Sequence, residues 1–63
     1  MGKIRVRKET GKLQFDFFYM GVRCREQTLL DDTAANRQRL EAFMDKIDRE
    51  IKKGSFVYED YFP

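Results

Sequence analysis

Histidine is absent from this chain, and cysteine and proline each occur once in its 63 residues. Without an imidazole there is no base for Ser-His-Asp or Cys-His catalysis, and with one thiol there is no internal disulfide. A tetrahedral zinc site lacks ligands for the same reason. Long apolar runs are missing too. The longest runs from Phe17 to Val22, includes a glycine, and falls far short of the roughly 20 residues that span a bilayer. The first eight residues hold Lys3, Arg5, Arg7 and Lys8 but no apolar core of a signal peptide. Val6 stands where a myristoylation signal has Ser or Thr, which makes Gly2 a poor acceptor. A single domain of 7.6 kDa buries only about 60% of its unfolded surface, too little to enclose a deep substrate cavity. These exclusions lead to the expectation of a soluble intracellular module that binds something, without cofactor and without membrane.

What is present is charge, unevenly spread. Residues 1–30 carry Lys3, Arg5, Arg7, Lys8, Lys12, Arg23 and Arg25 against Glu9, Asp16 and Glu26, a net +4. Residues 31–63 carry six basic and eight acidic side chains, a net −2. Such asymmetry points to one half that faces a polyanion.

The basic half reads as three short strands. Lys3-Ile4-Arg5-Val6-Arg7 alternates with period two, as do Leu13-Gln14-Phe15-Asp16-Phe17 and Val22-Arg23-Cys24-Arg25-Glu26-Gln27. The spans expected are 3–8, 13–19 and 22–28, with turns at Glu9 to Lys12 and around Gly21. Ile4, Val6, Leu13, Phe15, Phe17, Val22 and Cys24 then share one face. Lys3, Arg5, Arg7, Gln14, Asp16, Phe18, Arg23, Arg25 and Gln27 share the other. A one-residue bulge in the Phe17-Phe18-Tyr19 run would turn Phe18 inward. From Leu40 the period changes: Leu40, Phe43, Met44, Ile47 and Ile51 recur at three- and four-residue steps until Gly54. The pattern predicts one amphipathic helix over 33–53, N-capped by Asp32 or Thr33, with Lys52 and Lys53 in its last turn. Neither sheet nor helix can bury its apolar face alone. The fold class expected is therefore α+β, a three-stranded antiparallel sheet packed on one C-terminal helix. Residues 55–63 are too aromatic for a disordered tail, and Phe56 is expected to pack back over the helix end.

The outward face has two readings. Arg and Lys on neighbouring strands supply charge for phosphates, and Arg and Gln side chains match the edges of guanine and adenine. Alternatively, it is the solvated face that any small antiparallel sheet presents. Cys24 reads as a small inward hydrophobe, and Asp31-Asp32 as a loop with a cap. The mixed charges of the helix, Asp45 and Arg49 among them, read as a solvated face with i,i+4 pairs.

An ordered set of segments bears on the choice: Gly21-Val22-Arg23-Cys24-Arg25-Glu26-Gln27-Thr28, Asp32-Thr33-Ala34-Ala35-Asn36-Arg37, Ile47-Asp48-Arg49-Glu50-Ile51, Gly54-Ser55-Phe56-Val57-Tyr58 and Tyr61-Phe62-Pro63. Together they resemble the N-terminal arm-type DNA-binding domain of phage and prophage tyrosine integrases, over nearly the whole chain. The resemblance implies a sheet that enters the major groove of arm sites in attachment DNA, in support of integration and excision. It makes Arg23 and Arg25 the first contacts, followed by Lys3, Arg5 and Arg7. Gln14, Phe18 and Gln27 complete the candidate set by phase. Glu26 belongs to the motif but points inward, where a salt bridge or cap near the helix start is expected. Integrases of this kind cut DNA through a tyrosine in a later domain. The expectation is thus a non-catalytic domain over 1–54, with 55–63 opening the linker to an absent core-binding and catalytic region. The expected partners are double-stranded DNA and, through the full-length protein, other integrase subunits. The isolated domain is expected to be monomeric and to work in the bacterial cytoplasm, on the nucleoid when bound. A different class of reading is a protein-interaction module that docks through its sheet edge or aromatic tail.

Overall fold

A computed structural model describes residues 2–62. Three strands, β1 (Lys3–Val6), β2 (Lys12–Tyr19) and β3 (Val22–Asp31), precede the helix α1 (Ala34–Lys53) and a single helical turn, α2 (Tyr58–Tyr61). The strands form one antiparallel sheet in the order β1-β2-β3. This is the α+β architecture that the two hydrophobic periods predict.

The boundaries follow local chemistry. β1 stops at Val6, two residues earlier than the alternation suggests, because the Arg7 carbonyl accepts from the Gly11 amide at 2.7 Å and closes the turn. Gly11 takes φ 70° there, a value that costs glycine nothing. The β2–β3 hairpin turns through Met20 (φ 53°) and Gly21 (φ 76°); positive φ at both central residues is what a type I′ turn requires. β3 runs on to Asp31 because a bulge opposite Lys12 and Gln14 lets the pairing resume between Lys12 and Asp31. Thr33 N-caps α1 by accepting from the Asn36 amide at 3.1 Å, and Gly54 ends it in the left-handed region.

Leu13, Phe15 and Phe17 of β2 meet Leu40, Met44 and Ile47 of α1 in the core. The helix lies against β1 and β2, and its Asp48 carboxylate accepts from the Gly2 amide at 3.1 Å. The inner side of β3 is met by the C-terminal segment. Phe56 is buried, as expected, and Tyr58, Tyr61 and Phe62 pack around the same core. Val22 departs from the expectation. It keeps an inward phase, but neither α1 nor the C-terminal segment covers the hairpin tip, and it is 62% exposed. Leu29, at the other end of β3, is also open to solvent.

Candidate nucleic-acid interface

The outer face of the sheet is uncovered, and its register arranges the charged residues in rows. Asp16 on the central strand has Lys3 opposite on β1 and Arg25 opposite on β3. Gln14 has Arg5 and Gln27, and Phe18 has Arg23. Residues directly opposite or diagonal across antiparallel strands lie within side-chain reach, so the strands alone bring seven of the eight candidate residues onto one surface. Arg7, the eighth, lies beyond the end of β1, with its Nε 2.8 Å from the Glu9 carboxylate. It shares a shallow hollow with Gln14 and Arg25. A second hollow beside it is lined by Lys3, Arg5, Asp16, Phe18 and Arg23.

Phe18 faces outward, 64% exposed among the arginines; no bulge interrupts the pairing of residues 14–19 with β3. Asp16 also lies on this face, yet it is only 6% exposed. Its carboxylate accepts a two-point hydrogen bond from Arg23, Nε to Oδ1 at 3.0 Å and Nη2 to Oδ2 at 2.8 Å. Arg5 Nε stands 2.8 Å from Oδ2, and Arg25 Nε 4.0 Å from it. The hydrogen bond from Arg23, with the charges of Arg23, Arg25 and Arg5, outweighs desolvation and holds the carboxyl at a pKa of about 2. Asp16 is therefore a fixed anion beneath a layer of cations. The side chains of Arg5, Arg23 and Arg25 stay about half exposed above it.

The sequence reading of Asp16 as one exposed acid among basic neighbours misses this burial. The signal was present: within the spans 3–8, 13–19 and 22–28 that the alternation predicts, Asp16 is the one outward acid, at the middle of the central strand, where cross-strand neighbours are basic on both sides. Glu26 points inward as its phase predicts, but it is not at the helix start. Its carboxylate accepts from the Tyr58 hydroxyl, which ties the C-terminal segment to β3. Burial first, and then this bond, raise the Tyr58 pKa above its ordinary value, the reverse of what a nucleophile needs. The sequence marks both residues but gives no hint that they meet across 32 positions.

On its geometry the outer face can do two things. Five cations can neutralise phosphates, and the guanidinium forks and the amides of Gln14 and Gln27 can address planar hydrogen-bonding edges. Among the described residues no helix is long and apolar enough to cross a membrane. Compared with protein families, residues 1–63 match the model described as an arm DNA-binding domain, a non-catalytic DNA-binding domain of phage integrases. No curated protein and no solved structure matches the chain.

Proposed function

Since the chain belongs to the arm DNA-binding domain family, we propose that it reads double-stranded DNA sequence-specifically by laying the outer face of its sheet into the major groove of arm sites. The observation that carries this reading is the set of cross-strand rows on an open face: Lys3, Asp16 and Arg25 in one, Arg5, Gln14 and Gln27 in the next. Strands about 4.8 Å apart make a three-stranded sheet roughly 10 Å wide between its outer backbones. The major groove of B-DNA is about 12 Å wide.

Arg25 is the arginine least committed to Asp16, and Gln27 lies exposed two residues along the same outer strand. These two are the best placed to meet base edges, with Arg23 and Arg5 beside them. Lys3 and Arg7, at the margin, serve phosphates. Phe18 offers an apolar surface of the kind that contacts thymine methyl groups. In this reading the domain anchors a tyrosine recombinase to attachment DNA during integration and excision of a prophage. A core-binding and catalytic region follows it in the full protein, and other integrase subunits assemble through that region. The work is done in the bacterial cytoplasm, on the nucleoid. The alternative of docking through an aromatic tail has little surface to use, because Phe56 is buried and Tyr58, Tyr61 and Phe62 pack on the core.

An amide chemical-shift titration of labelled protein, with mixed-sequence duplex and with attachment-region DNA of its element, tests the proposal. Shifts should concentrate on Arg5, Phe18, Arg23, Arg25 and Gln27 and be stronger with the attachment DNA. With four or five phosphates neutralised, log K should fall against log salt with a slope of about −4. Arg25→Ala should keep the fold and lose most of the binding. Shifts confined to α1 and the C-terminal segment would send the function back to partner docking.

A further inference from the structure

An acid at the centre of a surface meant for a polyanion is a cost unless it does something there. Asp16 repels phosphate, and it neutralises part of the charge that binding uses. Its position is nonetheless firmly built: it is 6% exposed, central in the sheet, and approached by the Nε atoms of three arginines from two different strands.

The geometry of the Arg23 contact gives the reason. A guanidinium has two edges that can form a fork. The side edge, Nε with one Nη, is taken up by the two Asp16 oxygens at 3.0 and 2.8 Å. The end edge, one hydrogen on each Nη, stays free, and a free guanidinium fork is the group that pairs with O6 and N7 of guanine. Arg5 Nε stands 2.8 Å from Oδ2 as an ion pair, without the hydrogen bond that fixes Arg23. A carboxylate that grips long side chains from below removes rotamer freedom before the ligand arrives. It also lowers the net charge of the face, which weakens attraction to any phosphate backbone regardless of sequence.

We propose that Asp16 is a specificity-determining positioning residue: it locks Arg23 with its outer N–H groups presented to base edges, draws Arg5 in by charge, and holds down binding to DNA of the wrong sequence. This inference rests on the reading of the sheet face as the DNA-contacting surface. It assigns to Asp16 an action through the arginines, without contact to DNA.

The test compares the wild type with Asp16→Asn on two probes: a 20-base-pair duplex of mixed sequence, and a duplex selected by the wild type from a random library. Both are titrated by fluorescence anisotropy across a salt series, with amide spectra to verify the fold. The variant should bind the mixed duplex more tightly than the wild type, with a salt slope steeper by about 1. Its preference for the selected duplex should fall at least about fivefold, the low end of what one two-point base contact supplies. A merely structural role would weaken both probes equally and leave ratio and slope alone, and that result would overturn the proposal. Arg23→Lys keeps the charge but has no fork to lock, and it carries the test if the Asn variant fails to fold. It should lose the preference with the slope unchanged, whereas an intact preference would count against Asp16. If the wild type selects no sequence and binds neither duplex, the DNA-reading function itself fails, a result distinct from wild-type selectivity that Asp16→Asn leaves intact.

Discussion

Two polar contacts, one on each face of the sheet, respond to pH in opposite directions. Asp16 has its pKa lowered to about 2 by Arg23 and its neighbours, so its ion pairs stabilise the fold fully above the ordinary carboxylate pKa of 3.8 and lose that contribution as pH falls from about 4 towards 2. Tyr58 is raised, so its contribution is present below its ordinary pKa of 10 and is lost as pH climbs beyond it. Urea denaturation across pH should therefore show an acid limb that Asp16→Asn flattens and an alkaline limb that Tyr58→Phe flattens. At neutral pH, Tyr58→Phe strips the half-buried carboxylate of Glu26 of its donor, which should cost about 0.5–1.5 kcal/mol. An alkaline limb unchanged in Tyr58→Phe would mean that another group is responsible. That both contacts escaped a reading of the sequence has one cause. Phase tells which face a side chain takes, whereas pairing partners depend on register, and Tyr58 lies outside any regular period.

Elements were more legible than contacts because each has a signature within a few residues. Alternation around Phe15 and Arg25 marks the strands and the Leu40 to Ile51 spacing marks α1; of the two N-caps expected, Asp32 and Thr33, the structure uses Thr33, and Gly54 ends the helix as expected. The ends of β1 and β3 were less legible. They depend on the turn that closes at Arg7 and on the bulge near Lys12, both set by pairing between strands. Replacing the cap by Thr33→Ala should destabilise the protein by about 1 kcal/mol. The hairpin tip offers a change in the other direction. Met20 holds φ 53° while 83% exposed, a conformation that costs an ordinary side chain about 1–2 kcal/mol and asparagine less. Met20→Asn should thus raise the midpoint of thermal unfolding by several degrees, at roughly 4–8 °C per kcal/mol for a domain of this size. A fall in the midpoint would show that the exposed Met20 side chain contributes packing at the tip that outweighs its backbone strain.

At the scale of the whole molecule, the second layer over the sheet is composite. α1 covers β1 and β2, and the C-terminal segment completes the cover towards β3, a division of labour that aromatic content alone did not disclose. Phe17 on the central strand sits 6.2 Å from the Phe56 ring, 6.1 Å from Tyr58 and 6.0 Å from Phe62, centroid to centroid. Phe56 also packs edge-on against Tyr19 at 4.8 Å. A domain of this size has a total stability of roughly 3–9 kcal/mol at about 0.05–0.15 kcal/mol per residue. Removing one buried phenylalanine side chain typically costs about 3–5 kcal/mol. Phe56→Ala should therefore leave the protein at the margin of folding, and a chain ended at Gly54 should not fold at all, although every strand and the whole of α1 remain. Circular dichroism melts of the two variants beside the 63-residue chain decide the matter. If the chain ended at Gly54 melts cooperatively near the midpoint of the full one, helix and sheet suffice, and the C-terminal aromatics are a dispensable cover. If it shows no transition, the segment is structural, and residues 55–62 belong to the folded domain, packed on the side of the sheet away from the arginine face.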